Sequence, residues 1–215
     1  MKRLKMTPHN TSGFLITVCG LDGCGKSTII KMLKEKLEND GKTVILTKQP
    51  TDTVRKSMIF RQYMDSENHD NYSYRALSLF AASDRVQHSN KEILSELQKG
   101  NVVISDRYFY SCLANLRARG YKKDNWIYEI SKYIPMPDAA IFLDIPVDVA
   151  VSRVRLRPEE RNRYIDMQLQ NDLKKEYVDI SDSNHGILID SDRDSDDTFR
   201  DVWKRIEKIM NERKL

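Results

Sequence analysis

The sequence predicts an α/β protein in which helices cover both faces of one five-stranded parallel sheet. Short apolar runs rich in β-branched residues alternate along the chain with longer stretches of amphipathic, helix-like spacing, which is the pattern of βαβ units. With 215 residues, the chain is long enough for one large domain with apolar layers on both sides of a sheet. The predicted strands are residues 14–19, 43–47, 102–105, 139–143 and 187–189. We therefore expect a three-layer sandwich.

The first predicted strand runs into the sequence GLDGCGKS at residues 20–27, which fits the pattern G-x-x-x-x-G-K-[ST]. A helix-like stretch follows at once. The glycines allow backbone N–H groups to approach a ligand closely, and the start of the helix offers unpaired N–H groups and a positive dipole. These features favour a phosphate-binding loop (P-loop) and therefore a nucleoside triphosphate site. Its residues are Gly20, Gly23, Cys24, Gly25, Lys26, Ser27 and Thr28.

Two side chains of this loop have specific expected roles. Lys26 is expected to reach the β- and γ-phosphates, and the Ser27 hydroxyl to bind Mg²⁺. Cys24 is expected to be a small neutral filler. The plain alternative is a glycine-rich turn that binds nothing, but such a turn requires neither the lysine nor the serine nor three glycines at these offsets.

Polar residues follow each predicted strand, and ligands of parallel sheets bind beyond the carboxyl ends of the strands. Asp106 and Arg107 directly follow the third strand. Asp106 is expected to hold the metal, directly or through water, and Arg107 to bind a second phosphate group through two hydrogen bonds. A strand-terminal ion pair or a helix cap at Asp106 is the alternative.

An arginine-rich run predicts a short lid over about residues 153–163. Pro158 interrupts the helical pattern there, as a hinged flap requires. Phosphoryl transfer depends on alignment and on neutralising charge more than on a strong base, so extra arginines suit it. A solvated basic helix face, partly neutralised by Glu159 and Glu160, is the alternative. Residues 49–71 form a second candidate for a mobile cover. The arginines of the lid are Arg153, Arg155, Arg157, Arg161 and Arg163.

Five segments occur in the order and at roughly the spacing of thymidylate kinases, over nearly the whole chain from residue 14 to 210. The run Asp-Arg-Tyr-x-x-Ser-x-x-Ala after the third strand is much more particular to this family than the phosphate loop. The segments are GLDGCGKST (20–28), FAASDRVQH (80–88), SDRYFYSCLA (105–114), FLDIPVDVAVSRVRLR (142–157) and IDSDRDS (189–195). The chain thus resembles the thymidylate kinase family of P-loop nucleoside monophosphate kinases.

The resemblance implies transfer of the γ-phosphoryl group of ATP to dTMP, giving dTDP, with Mg²⁺ as the cofactor. Kinases for other monophosphates, such as dUMP, UMP or CMP, stay open as alternatives. A GTP-dependent switch module is a further alternative of another class. That alternative requires an N/T-K-x-D motif, and the nearest runs, at residues 47–50 and 90–93, lack the aspartate.

Residue roles follow from the same resemblance, position by position. Asp22 would contact the sugar 3′-hydroxyl of the acceptor or a metal-bound water, and Arg107 the acceptor phosphate. The further acceptor-binding residues that the resemblance implies are Arg55, Phe80, Arg85, Ser111 and Asn115.

On the donor side, Arg153 would lie over the adenine, with the loop after Ile189 on the other side of that base. Some relatives carry a catalytic arginine in the phosphate loop, where this chain has Gly23. Arg157 or Arg161 in the lid would then supply the catalytic charge, together with Lys26.

Three departures from the family pattern concern the acceptor. Gln49 replaces the usual carboxylate after the second strand. Phe80 precedes Arg85 by five residues instead of four, which places the two side chains about 140° apart on a helix. A π-bulge could realign them, and otherwise Phe80 belongs to the core. Asn115 stands where an aromatic ring often excludes a 2′-hydroxyl, so we hypothesise weaker discrimination against ribonucleotides.

Composition limits partners and location. The 36 basic and 32 acidic residues give a net charge of +4, with both signs interspersed, so no nucleic-acid or membrane partner is expected. Three cysteines without ligand or disulfide spacing suit a reducing, cytoplasmic location. Residues 1–12 are expected to be a disordered lead-in to a domain over 13–215. The histidines at 9, 69, 88 and 185 are expected at the surface or in caps, and the resemblance suggests a homodimer contact through the helix near 80–97.

Overall fold

The computed structural model of the chain describes residues 2–65, 72–162 and 164–214. The predicted architecture is confirmed: one sheet of five parallel strands has the order β2-β3-β1-β4-β5. Each strand ends one residue later than predicted, so that the polar residue after each apolar run still pairs within the sheet. The strands are β1 (Phe14–Gly20), β2 (Val44–Lys48), β3 (Val102–Asp106), β4 (Ala139–Asp144) and β5 (Ile187–Asp190).

Helices connect each strand to the next, as parallel pairing requires, and a last helix follows β5. They are α1 (Lys26–Asn39), α2 (Asp52–Arg55), α3 (Met58–Asp65), α4 (Tyr74–His88), α5 (Leu94–Gln98), α6 (Phe109–Ala118), α7 (Trp126–Ile130), α8 (Val147–Arg155), α9 (Met167–Ser183) and α10 (Ser195–Glu212). A π-helical turn at Ser89–Ile93 joins α4 to α5, and short 3₁₀ turns occupy Ser131–Tyr133 and Pro158–Glu160. Within the described residues, no helix is both long and apolar enough to cross a membrane.

The core lies on both faces of the sheet. Helices α1 and α10 contact each other and the strands, while α4, α6 and α9 form a second connected layer. The three inner strands, β1, β3 and β4, are buried along almost their whole length, whereas the edge strands β2 and β5 are partly exposed. Burial on both faces explains why the inner strands are continuous apolar runs without alternation.

Residues 2–12 differ from the predicted disordered lead-in, because they pack beside the amino-terminal ends of the strands. The Leu4 side chain is buried, and its backbone N–H donates to Asn184 Oδ1 at 2.9 Å. Thr7 forms an isolated parallel bridge with Pro135. Buried Leu4 and half-buried Met6 alternate with exposed residues. This period of two is the local signal for a strand-like segment.

His9 is likewise not a surface residue, since its side chain is almost fully buried. Its Nε2 lies 2.9 Å from Asp138 Oδ2, and its Nδ1 lies 2.8 Å from Thr11 Oγ1. Asp138 also accepts hydrogen bonds from the Leu15 N–H, at 2.7 Å, and from Arg213. One carboxylate at the amino edge of the sheet therefore ties together both ends of the described chain.

Candidate active site

The carboxyl edge of the sheet opens into a cavity of about 350 Å³. Three parts of the chain line it. They are the loop between β1 and α1 with the first turn of α1, the ends of β2 and β3, and α8 together with Arg157 after it. The lining residues are Asp22, Gly23, Gly25, Lys26, Ser27, Thr28, Lys48, Asp106, Arg107, Arg153 and Arg157. The structure thus brings the loop, metal and lid residues that the sequence singles out to one place.

Gly23 shows why the loop carries no arginine at this position. Its φ is +87°, and a Cβ atom built on it would lie 2.1 Å from the carbonyl oxygen of Ala150 in α8. No side chain fits between the loop and α8 without moving one of them. The arginines near the loop therefore come from other elements, and Arg153 and Arg157 line the cavity from the α8 side.

Lys26 lies folded over the loop at the floor of the cavity. Its Nζ donates to the carbonyl oxygens of Leu21 at 2.6 Å and Gly20 at 3.3 Å, and lies 4.0 Å from Asp22 Oδ1. The residue is only 8% exposed. Its ammonium group is thus held by acceptors that phosphate oxygens can replace, because the same side chain lines the cavity.

Arg107 reaches from the end of β3 back to the phosphate loop. Its φ of +67° is in the left-handed region, which is sparsely populated for residues with a Cβ and is found often at functional sites. Nη2 donates to Asp22 Oδ1 at 2.6 Å, while Nη1 donates to Gly20 O at 3.2 Å and to the Tyr177 hydroxyl at 2.9 Å.

These contacts use one N–H of Nη2 and both of Nη1. Within the described part of the chain, the N–H of Nε and the second N–H of Nη2 have no partner. Nε and Nη2 are the two nitrogens of one edge of the guanidinium, and this edge has the geometry for a bidentate contact with a phosphate. Burial acts to lower the pKa of Arg107, but Tyr177, Asp22 and Asp106 outweigh it and raise the pKa well above its ordinary value. The guanidinium is a permanent cation.

Asp106 has one oxygen paired and one unpaired. Lys48 Nζ lies 3.0 Å from Oδ2, whereas Oδ1 is buried without a hydrogen-bond partner in the described residues. A buried carboxylate oxygen of this kind is costly unless a bound ligand satisfies it. The exposed Ser27 lines the same cavity. Two oxygen ligands suit Mg²⁺, which takes few protein ligands and completes its shell with water and phosphate. Asp106 and Ser27 therefore fit this metal.

A second cavity of about 250 Å³ adjoins the first behind the loop. Arg153 lines both cavities, and its Nη1 donates to Ser191 O at 3.4 Å. The remaining lining residues come from the loop and α1, and from residues 191–198 after β5. Arg153 and the loop after Ile189, which the resemblance assigns to the donor base, thus line the same cavity.

The lid arginines fall into different positions. Arg153 and Arg157 line the first cavity, whereas Arg155 Nη1 donates to the backbone oxygen of Arg161 at 2.8 Å. Arg161 is exposed and does not line the cavity. Of the two arginines proposed for catalysis, the structure brings Arg157 to the phosphate loop and leaves Arg161 outside. Arg163 lies outside the described residues.

Helix α4 carries Arg85 on its buried face and Phe80 on its exposed face. Arg85 is 3% exposed, its Nη1 donates to Ala81 O at 2.9 Å, and its Nε is buried without a partner in the described residues. Phe80 is 37% exposed, so it is not the core residue that the sequence allowed. A π-helical turn does occur, but it begins at Ser89, after Arg85, and does not realign the pair. The position of Phe80 therefore gives no support to stacking on an acceptor base.

The other predicted acceptor residues lie at different depths. Ser111 is buried beneath Arg107, and its Oγ accepts a hydrogen bond from the Tyr177 hydroxyl at 3.0 Å. Asn115 is engaged on both ends of its amide: Nδ2 donates to Ser111 O at 2.9 Å, and Oδ1 accepts from Arg119 Nη1 at 2.8 Å. Arg55 ends α2 and does not line the cavity.

Gln49 has a different role from that of a substrate-facing carboxylate, because it is fully buried. Its Nε2 donates to His88 Nδ1 and to Ser89 Oγ, both at 3.0 Å, and His88 Nε2 donates to Thr47 Oγ1 at 2.8 Å. Burial lowers the pKa of His88, although Glu92 and Asp84 oppose the effect. The expectation of a surface or capping histidine is wrong here: His88 is a neutral link between β2 and α4.

Lys48 and Tyr177 are the site residues that sequence reasoning missed. Lys48 ends β2 and pairs in register with Asp106, so the rule that strand ends carry the site could have found it. Tyr177 lies in α9, 70 positions from Arg107, and no local pattern connects the two. His69 and the rest of residues 66–71, the end of the second predicted cover segment, lie outside the described residues.

A model of the thymidylate kinase family matches residues 18–202 of the chain. The chain belongs to the thymidylate kinase family. A probable thymidylate kinase of Pyrococcus horikoshii is 39% identical over 172 residues, which are 79% of this chain and 83% of that protein. Probable thymidylate kinases of Thermococcus kodakarensis and Saccharolobus solfataricus are 34% and 30% identical, over 92% and 91% of this chain and 98% of each relative. The chain is thus a phosphotransferase of this family.

Proposed function

We propose that the protein transfers the γ-phosphoryl group of ATP to dTMP, giving dTDP. The proposal rests on the composition of the first cavity. In it the phosphate loop lies together with Arg107, whose Nε and Nη2 atoms retain unpaired donors in the described residues, and with the lid arginines Arg153 and Arg157. A kinase needs two phosphate sites in line, one for the donor and one for the acceptor. The loop suits the first, and Arg107 suits the second.

The donor is held by the loop amides, Lys26 and α1, with its base in the second cavity beside Arg153. The acceptor phosphate binds the free Nε and Nη2 donors of Arg107, which Asp22 holds from the other side. Lys26 and Arg157 flank the space between the two phosphates and neutralise charge on the transferred group. Asp106 and Ser27 hold Mg²⁺, which when bound neutralises phosphate charge and fixes the donor's phosphate oxygens.

Arg85 is our candidate for contact with the acceptor base, although it lines neither cavity. Its buried Nε lacks a partner in the described residues, so a ligand group that accepts this hydrogen bond removes the cost of leaving it unpaired. At position 115, both ends of the Asn115 amide already have protein partners. Each end nevertheless retains bonding capacity toward a 2′-hydroxyl. We therefore keep the proposal of weak discrimination against ribonucleotides.

A homodimer and a cytoplasmic location complete the proposal. Apolar side chains are exposed side by side in sequence on α3 and α4, at Met58, Ile59, Leu79 and Phe80, and they suit a contact with a second copy. The free thiols at Cys19, Cys24 and Cys112 suit a reducing compartment. Sedimentation of the purified protein as a monomer at all concentrations would contradict the dimer.

A panel of monophosphates with ATP and Mg²⁺ tests the function. We expect ADP formation with dTMP, and measurable rates with the ribonucleotides UMP and CMP if Asn115 admits a ribose. The rate with dUMP, which has the same deoxyribose as dTMP, tests recognition of the base instead. Replacing Lys26 by Ala should lower kcat by about 100-fold or more, because the substitution removes a positioned cation from the transferred phosphate. Lys31→Ala is the matched control, since Lys31 is exposed on the same helix.

Two results would count against the proposal. Absence of ADP formation with every monophosphate would refute the kinase activity itself. A rate with UMP and CMP far below that with dTMP would leave the kinase standing and remove the idea of weak sugar discrimination.

A further inference from the structure

Tyr177 is a buried polar residue for which the proposed reaction has as yet no role. It lies in the middle of α9 and is 4% exposed, and its ring packs against Phe142 of β4 with 6.4 Å between ring centroids. Its hydroxyl accepts a hydrogen bond from Arg107 Nη1 at 2.9 Å and donates one to Ser111 Oγ at 3.0 Å. The hydroxyl therefore joins α9 and α6 to the arginine at the end of β3.

The direction of this hydroxyl is fixed by its two partners. Arg107 can only donate, so the tyrosine oxygen must accept from it and turn its own hydrogen toward Ser111. Ser111 Oγ in turn lies 3.8 Å from Cys19 Sγ in β1. Burial raises the pKa of Tyr177, although Arg107 acts against this, and the hydroxyl stays protonated.

The same contact decides which edge of Arg107 faces the cavity. Tyr177 and Gly20 O together engage both N–H groups of Nη1, and Asp22 engages one of Nη2. The donors that remain are on Nε and Nη2, the two nitrogens of one guanidinium edge. Without the tyrosine oxygen, one Nη1 donor would be buried without a partner, and rotation of the guanidinium toward another acceptor would relieve that cost. Such a rotation would turn the bidentate edge away from an acceptor phosphate.

We propose that Tyr177 is a positioning residue for the acceptor: its hydroxyl locks the Arg107 guanidinium so that the Nε and Nη2 donors point at the acceptor phosphate. Tyr177 does not touch either nucleotide in this proposal. Ser111 supports it from behind, which gives this buried serine an indirect role in place of direct contact with the acceptor. The inference rests on the proposed function, because it assigns the free edge of Arg107 to the acceptor phosphate.

The side chain of Tyr177 is itself held in place by its surroundings. The neighbouring Glu176 is almost fully buried, and its carboxylate is paired with Arg117 Nε at 2.6 Å and Lys122 Nζ at 2.9 Å. These ion pairs fasten α9 to α6 and to the segment after it. A hydroxyl group can orient an arginine only if its own helix is held in place, and these ion pairs hold α9.

Replacing Tyr177 by Phe removes the oxygen and keeps the ring. The KM for dTMP should rise about tenfold or more, because a buried hydrogen bond to a charged group is lost, while the KM for ATP should change by less than about twofold. Tyr108→Phe is the matched control. It removes an equally buried hydroxyl, bonded to Pro135 O at 2.8 Å, that has no contact with Arg107.

The outcomes separate positioning from simple packing. A selective rise in the KM for dTMP in Tyr177→Phe, absent in Tyr108→Phe, supports the proposal. An unchanged KM for dTMP, or equal rises for dTMP and ATP with a lowered melting temperature, overturns it. Ser111→Ala should shift the KM for dTMP in the same direction, and it decides the question if Tyr177→Phe does not fold. Absence of wild-type turnover would instead refute the proposed function and this inference with it.

Discussion

At the level of single residues, Gly23 excludes a side chain, and therefore an arginine, from this position of the phosphate loop. Two independent constraints act on it: a backbone conformation that disfavours any Cβ, and the Ala150 carbonyl oxygen 2.1 Å from the place where that Cβ would be. An arginine at this position would have to push α8 away from the loop. The same contact keeps α8, and with it Arg153, close to the phosphate loop.

Gly23→Ala should destabilise the protein by roughly 3 kcal/mol or more, since the left-handed backbone and the collision with Ala150 both contribute. Gly41→Ala is the matched control. Gly41 has a similar φ of +80°, but a Cβ there has no atom within 4 Å, so only about 1–2 kcal/mol should be lost. Urea unfolding of both variants measures the difference. Equal losses would mean that the contact with α8 does not constrain the loop.

The sequence predicts site residues well where the members of the site are also neighbours in the chain. The phosphate loop from Gly20 to Ser27 is one continuous segment, and Asp106 and Arg107 lie at the end of a strand. Both can therefore be recognised from a strand followed by a loop and a helix. Tyr177 and the Gln49–His88 pair became visible only in three dimensions, because each contact joins elements dozens of residues apart. The sequence shows which residue types are present, but not which distant partner satisfies each buried polar group.

At the level of elements, the lid is not uniform. Helix α8 ends at Arg155, and the turn at Pro158–Glu160 redirects the chain before α9. Arg157 lies directly before this turn and lines the cavity, whereas the backbone of Arg161, beyond it, accepts a hydrogen bond from Arg155. The turn therefore separates an arginine that lines the cavity from one whose backbone bonds to α8.

Arg157→Met should lower kcat by about 100-fold or more and change the KM for ATP little, because the charge acts mainly on the transferred phosphoryl group. Arg161→Met should reduce kcat by less than about tenfold. Steady-state kinetics with ATP and dTMP compares the two, and circular dichroism checks that both variants are folded. A larger loss in Arg161→Met would show that the lid closes in a different arrangement when nucleotides bind.

The positions of the strands, and the faces of α4 on which its side chains lie, show what the periodicity of the sequence predicts. Apolar runs located all five strands to within one residue at each end, because burial on both faces requires continuous apolar sequence. The five-residue spacing of Phe80 and Arg85 predicted side chains about 140° apart, and the structure has them on different faces, but Phe80 is exposed instead of in the core. The position of the π-helical turn was not predictable, since it depends on how α4 and α5 both pack on the rest of the molecule.

At the level of the whole molecule, the candidate site and a cluster of stabilising contacts lie at opposite edges of the parallel sheet. All five strands point in one direction, so the phosphate loop, Asp106 and the lid lie at the carboxyl edge. The amino edge carries the cluster around Asp138, in which His9 and Arg213 join the beginning and the end of the described chain. Changes at this amino edge should act on the folded state without reaching the nucleotides.

Deleting residues 2–12 tests this separation. The deletion removes the burial of Leu4, worth about 2 kcal/mol, and two or more hydrogen bonds of about 1 kcal/mol each, including that between His9 and Asp138. A loss of roughly 4 kcal/mol should lower the melting temperature by roughly 10 °C for a chain of this size. The KM values for ATP and dTMP should stay within about twofold of the full chain at a temperature where both are folded.

Lys2→Ala provides the control, because Lys2 is exposed and its hydrogen bond to Asn125, at 3.5 Å, is at the limit of the usual range. It should leave the melting temperature within about 1 °C, since surface substitutions rarely change stability by more than about 0.5 kcal/mol. An unchanged melting temperature after the deletion would mean that the amino-terminal segment does not hold the sheet. A selective change in the KM for one nucleotide would mean that the two edges of the sheet are coupled, and that Asp138 influences the phosphate loop through β1 and β4.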